Sequence, residues 1–178
     1  VLAAGVAHGL RPKVHVNQFN AIGGVAAAVA HNALSVDHLE QLTQEDIDAL
    51  QDSKTIAVAL PGCSFFLGIP YTPARRIIDA GLPIAIASDF NPGSAPSGNM
   101  NFVVSQACIN LKMTPAEAIL AATINGAFAM DVAKETGSVT KNKKANLIMT
   151  PKLPSFEAIP YHFGQHQIAQ LIINGEFV

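Results

Sequence analysis

The sequence predicts an α/β protein with a parallel sheet, about half of a (β/α)₈ barrel. Three observations predict it. Four short apolar runs, Pro12 to Val16, Leu34 to Asp37, Thr55 to Leu60 and Pro83 to Ser88, have the length and composition of buried strands. Polar turns and helix-compatible stretches separate them, the alternation that builds βα units and a parallel sheet. Finally, three of the runs carry at or near their ends a group able to bind a metal or move a proton: His15, His38 and Asp89. A polar side chain at the end of a buried strand is costly unless paired or coordinated, so three in succession point to convergence at one end of the sheet.

The elements follow in order. Val1 to Leu10 is helix-compatible, and since it starts at Val rather than Met the chain reads as a piece of something longer. Helices are expected over Ile22 to His31, Thr43 to Gln51 and Pro73 to Ala80. Thr43 is a good N-cap with Glu45 and Asp46 in the first turn, and Gly81 closes the third helix. Pro61 to Gly68 is expected to follow the third strand as a segment on the same face, with Phe65 or Phe66 against a pocket or in ordinary packing. Asn91 to Asn99, rich in Pro, Gly, Ser and Asn, reads as a loop. Two helices should follow, Asn99 to Leu111 and Pro115 to Ala129, the second announced by the capping box of Thr114 and Glu117 with Pro115 at its first position. From Gly137 onward the pattern changes to short strands at Gly137 to Val139, Ala145 to Met149 and Gln170 to Gly175 with an Asn-Gly turn. This divides the chain into a barrel portion, 1–136, and a β-rich segment, 137–178.

Composition narrows the function classes. The 178 residues are 49% hydrophobic and only 13% charged, with 11 basic against 13 acidic side chains, so no basic surface for nucleic acid or an anionic membrane is expected. No apolar run approaches the length of a membrane span, and no secretory leader is recognisable at the N-terminus, which makes a cytoplasmic location the expectation. The two cysteines, Cys63 and Cys108, lack metal or redox spacing and are expected to be reduced.

Among the candidate residues, His15 sits within an apolar strand and offers an imidazole ligand for zinc or iron. Alternation sends Asp37 and His38 to opposite sides of their strand, so one of them faces the barrel axis. Glu40 reads as a surface or cap-region residue. Asp89 ends the most hydrophobic run and could hold a metal through one oxygen while accepting a proton through the other. Cys63 has no neighbouring base in sequence and makes a poor nucleophile.

The segments KVHVNQF, SVDHLE, LPGCSFFLG, IASDFNPGS, MTPAEAILAATINGA and PYHFG resemble the amidohydrolase superfamily of metal-dependent hydrolases and, within it, the imidazolonepropionase family. The resemblance implies the C-terminal half of a TIM-type barrel, strands five to eight, with part of a small β-rich subdomain. It implies a hydrolase that opens the ring of 4-imidazolone-5-propanoate to N-formimidoyl-glutamate in histidine degradation, using one zinc or iron ion. Carried over position by position, His15 and Asp89 match metal ligands, and His38 and Asp89 match catalytic groups. Gln18, Asn91, Gly93 and Ser94 match substrate-holding positions, although Gln18 stands where many members have Glu. The family's H-x-H pair has no counterpart here, so this chain alone is expected to bind metal poorly and to be inactive. A hydantoinase-like or deaminase member, or a non-catalytic scaffold, is the competing reading. A half barrel with open sheet edges also implies a homo-oligomer or an aggregation-prone piece.

Overall fold

Each of the four apolar runs forms a strand, and the strands pair in chain order. The computed structural model describes residues 1–178. After α1 (Leu2–Ala7), β1 (Lys13–Val16), β2 (Ser35–His38), β3 (Ile56–Ala59) and β4 (Ile84–Ile86) make one parallel sheet in the order β1-β2-β3-β4. Helices α2 (Gly24–Ala30), α3 (Gln44–Gln51) and α5 (Ala74–Asp79) lie in the connections. The register sets His15 opposite Asp37 and Val16 opposite His38.

Both faces of the sheet are buried at β3 and β4, which is why those strands read as continuous apolar runs, whereas β1, with Lys13 and His15 exposed, alternates. Val36, Ala57, Ala59, Ile84 and Ile86 join the main core with helix residues such as Val25, Ile47, Leu50 and Ile77. The intervening residues Val58, Leu60 and Ala85 join a second cluster on the opposite face, with Cys63, Ala95 and Ala129. A period of two thus divides one strand between two cores.

Caps delimit the helices as their sequences dictate. Thr43 and Asp46 form a reciprocal capping box at α3, and Thr114 and Glu117 form another at α7 (Pro115–Ala122). Asn99 caps α6 (Met100–Ile109) through the Phe102 amide. Gly24 is dictated by proximity, since a Cβ there would meet Val16 Cγ1 at 2.7 Å.

Two expectations give way, at Pro115 to Ala129 and at Gly137 to Val139, and two helices form where none was expected. Pro61 to Leu67 is a helix, α4, with Pro61 at its first position and Gly68 in a left-handed conformation at its end. The stretch expected as one helix over Pro115 to Ala129 breaks at Thr123, whose φ and ψ of −119° and −90° separate α7 from α8 (Ile124–Ala129). Thr123 Oγ1 bonds back to the Ile119 carbonyl, and Asn125 Nδ2 donates to the Ile84 carbonyl on β4, which ties the redirected helix to the sheet. Gly137 to Val139 is not a strand. Gly137 has φ 89°, and a Cβ there would meet Ala127 Cβ at 2.6 Å, so this glycine lets the chain turn closely past α8. Lastly, a short helix α9 (Ala158–Tyr161) precedes the expected hairpin.

The tail forms a separate antiparallel sheet, β5 (Leu147–Met149), β6 (Gln170–Ile173) and β7 (Glu176–Phe177), with Asn174 and Gly175 as the tight turn. No helix is long and apolar enough to cross a membrane.

Candidate active site at the ends of the parallel strands

His15 and His38 leave adjacent strands at the same end and meet edge to face, with ring centroids 4.2 Å apart and an interplanar angle of 61°. His15 is exposed and borders a cleft of about 380 Å³ formed with Asn17, Gln18, Phe19 and Ile22. His38 is buried, 3% exposed. The alternation between Asp37 and His38 resolves as follows. Asp37 takes a hydrogen bond of 2.6 Å from Ser35 Oγ, which in turn accepts one of 2.6 Å from Lys13 Nζ, so Lys13, Ser35 and Asp37 share one face. His38, at the strand's last position with φ 88°, turns its ring back over the strand end to His15.

Three side chains hold this arrangement. Thr72 Oγ1 donates to the His38 carbonyl at 2.5 Å, His38 Nδ1 lies 3.3 Å from Glu40 Oε1, and Ser64 Oγ donates to that same oxygen at 3.0 Å. Glu40 is therefore no surface residue. Its side chain is 0% exposed, and Oε2 has no hydrogen-bond partner. Sequence reasoning missed Glu40, Ser64 and Thr72; the only available signal was that Glu40 stands two residues beyond a strand-end histidine.

Asp89 follows β4 with φ 52° and is half-buried. Beside it, the Asn91 side chain builds its own loop: Oδ1 accepts from the Gly93 and Ser94 amides at 2.9 and 2.8 Å, and Nδ2 donates to the Asp89 carbonyl at 2.6 Å. Asn91 thus shapes the loop that presents Asp89, Gly93 and Ser94. Gln18, almost fully buried, donates through Nε2 to Cys63 Sγ at 3.4 Å.

Cys63 lies at the centre of these groups. Burial pushes its thiol above the ordinary range; a hydrogen bond with Ser94 acts the other way, and the charges of Asp89 and Glu40 add to the rise. A thiol held protonated by its surroundings is a weak nucleophile, in keeping with the expectation from sequence.

The structure thus brings His15 and His38 into contact, and draws Gln18, Asp89 and Ser94 around Cys63. It gathers no group of three or more His, Cys, Asp or Glu side chains close enough to hold a metal ion.

A parallel sheet with two imidazoles and a carboxylate at or just beyond its C-terminal strand ends is the arrangement of a TIM-type α/β fold that gathers polar groups at one end of the sheet. The amidohydrolase family model matches residues 3–178, and the chain belongs to the amidohydrolase family. It is 61% identical over its full length to an imidazolonepropionase of Christiangramia forsetii and 60% identical to that of Flavobacterium johnsoniae. It spans 43% of the length of each of these relatives. Among solved structures, a zinc-bound adenosine deaminase from Xanthomonas campestris superposes with a TM-score of 0.84 at 19% identity, over 98% of this chain and 46% of that one. That likeness supports an α/β fold of the TIM type.

Proposed function

We propose that this chain is the second half, strands five to eight, of an imidazolonepropionase barrel, with residues 1–136 contributing to the barrel and 137–178 to a β-rich subdomain. The parent enzyme hydrolyses 4-imidazolone-5-propanoate to N-formimidoyl-glutamate, and the chain by itself is inactive. The observation that carries this reading is the contact of His15 with His38 at the ends of neighbouring strands, in a chain 61% identical to an imidazolonepropionase. A cytoplasmic small-molecule enzyme follows from the same reading.

The donor set fits a divalent ion, zinc or iron, only in part. His15 and Asp89 supply one imidazole and one carboxylate, fewer than the three protein ligands usual for catalytic zinc, and the chain places no three His, Cys, Asp or Glu side chains together to hold an ion. The remaining ligands would come from the missing strands. When bound, such an ion lowers the pKa of water and polarises a carbonyl. The chain's own groups do the rest: Asp89 accepts the proton of the attacking water, His38 faces the ring carbonyl and steadies its developing charge, and Gln18, Gly93 and Ser94 line the substrate. Asn91 fixes the loop geometry. Gln18 cannot serve as a base, so it orients water or substrate.

The test is a fusion in which the leading part of the Christiangramia forsetii relative precedes Val1. The fusion should convert 4-imidazolone-5-propanoate with about one divalent ion per chain, and Asp89→Asn should lower turnover by about 10²–10⁴-fold, the range of a lost acid–base group. Near-normal rates in that variant would remove Asp89 from the chemistry. Preferential turnover of a hydantoin or of guanine would move the assignment to another cyclic-amide hydrolase or to a deaminase, and an ion-free, inert fusion would leave a scaffold. Sizing of the fusion reads whether the complete barrels associate as a homo-oligomer.

A further inference from the structure

We propose that Asp46, in the first turn of α3 and away from the cleft, is the positioning residue that fixes how Gln18 enters the site, acting through Asn17. It rests on the reading of Gln18 as a group that lines the substrate. Three observations carry it.

First, Asn17 borders the cleft between His15 and Gln18, yet its amide nitrogen is committed to the scaffold. Nδ2 donates to Asp46 Oδ2 at 2.7 Å and to the Gln41 carbonyl at 3.2 Å, and the Asn17 carbonyl accepts from the Gln41 amide at 2.8 Å. The Asp46 carboxylate and the Gln41 carbonyl only accept, so the side chain can face them only with its nitrogen. Oδ1 is left buried without a partner, a cost that the bond to Asp46 offsets.

Second, Asp46 exceeds what a helix cap requires. Its Oδ2 already accepts from the Thr43 amide at 2.9 Å in the capping box, and the bond from Asn17 reaches the same oxygen across 29 residues. Asp46 is 6% exposed and forms no ion pair, whereas Glu117, its counterpart in the other box, is partly exposed and paired with Arg75. A carboxylate kept from water with no cation is costly, and the one bond a cap does not need is the bond to Asn17. The charge strengthens that bond.

Third, the backbone makes the course of Gln18 depend on this anchor. Val16 ends β1, and Asn17 follows with φ 55°, a left-handed conformation that persists where the surroundings impose it. The turn carries Gln18 inward to 8% exposure, where Nε2 donates to Cys63 Sγ at 3.4 Å, beside Asp89 and Ser94. Asp46 thus holds the corner from which Gln18 projects.

The experiment separates this role from capping. Asp46→Ala deletes the anchor. Asp46→Glu keeps a capping box of the Glu117 kind, and so folds, but carries the carboxylate past Asn17. Asp46→Asn keeps an oxygen for both donors, and Thr43→Ala removes the hydroxyl half of the box without touching Asn17. In the 178-residue chain, the side-chain amide signals of Gln18 in a ¹H–¹⁵N spectrum should move in the Ala and Glu variants and stay near wild type in Asp46→Asn and Thr43→Ala. Unmoved signals in a folded Asp46→Glu protein overturn the proposal, as does equal movement in Thr43→Ala. In the fusion protein, Asp46→Ala and Asp46→Glu should raise KM for 4-imidazolone-5-propanoate by about 10-fold, the order of one lost hydrogen bond, with kcat little altered. Asp46→Asn should restore KM, and Thr43→Ala should leave it unchanged. An unaltered KM in Asp46→Glu overturns the proposal. An inactive wild-type fusion instead defeats the reading of Gln18 as a substrate-lining group and leaves the amide signals to decide on Asp46, so the two failures are distinguishable.

Discussion

In the parallel sheet Ala57, Ala59, Ile84 and Ile86 on one face and Val58, Leu60 and Ala85 on the other are all buried, whereas in the antiparallel sheet Ile148, Met149 and Ile173 are 64%, 48% and 49% exposed. Both sheets use β-favouring apolar residues. The first is specified by burial, because a register slip would move its large side chains between two filled cores. The second is specified by backbone pairing and by its turn: Asn174 and Gly175, with φ of 52° and 91°, are the residues a tight hairpin demands. Apolar strands therefore mark where a sheet forms, while the covering layers decide what each residue contributes.

Substitutions can break or sharpen that contrast. The largest effect is expected beneath the parallel sheet, where Ile77 is fully buried in the main core; Ile77→Ala should lower unfolding free energy by about 2–5 kcal/mol in a urea titration followed by circular dichroism. A loss under about 1 kcal/mol would mean the core collapses around the gap.

An intermediate effect is expected where α5 and α7 are joined at the edge of that core. Arg75 grips the Glu117 carboxylate with two nitrogens at 3.0 and 2.9 Å, while Glu117 also accepts from the Thr114 amide at 2.7 Å. The Arg75 hydrogen bonds, then the Thr114 amide, hold Glu117 down from 4.5 to about 2. A depressed carboxylate stabilises the fold fully above its unfolded value, and the gain is lost as pH falls through the folded value. Glu117→Gln should therefore cost about 1 kcal/mol at neutral pH, a modest figure because the pair is partly exposed and screened. The difference in melting temperature from wild type should shrink between pH 4.5 and 2. A gap that persists at the acid end would assign the loss to the capping geometry alone.

The smallest effect belongs to the antiparallel sheet: Ile148→Ala, at a position 64% exposed, should change stability by less than about 0.5 kcal/mol in the same titration. A loss as large as that of Ile77→Ala would show that β5 is covered in solution.

This contrast also explains how much the sequence discloses. Two-sided burial forces unbroken apolar runs at β3 and β4, β1 and β2 show as short runs interrupted by polar residues, and Thr43, Thr114 and the Asn174-Gly175 turn announce themselves by local hydrogen-bond chemistry. The helix α4 was obscured because Pro61-Gly62 also suits a turn, although Pro61 at its start and Gly68 at its end were signals for a helix. The break at Thr123 comes just before Asn125-Gly126, yet that turn-prone pair itself stays helical within α8; the bond from Asn125 to the Ile84 carbonyl, a partner 41 residues away, accompanies the break. In the site, alternation and strand-end position pointed to His15, His38 and Asp89. Glu40 was illegible, since its burial depends on Ser64, 24 residues further along.

The strand ends carry one more consequence. Asn17, His38, Leu39 and Asp89 all hold φ between 52° and 88°, a backbone region where side chains with a Cβ are disfavoured. Glycine at any of them would ease the main chain while erasing an amide, an imidazole, a packed leucine or an acid. At Leu39, His38 and Asn17, all buried, the packing and hydrogen bonds lost would outweigh that relief, so the strain persists in the strand ends because the side chains there hold more than the backbone gives up.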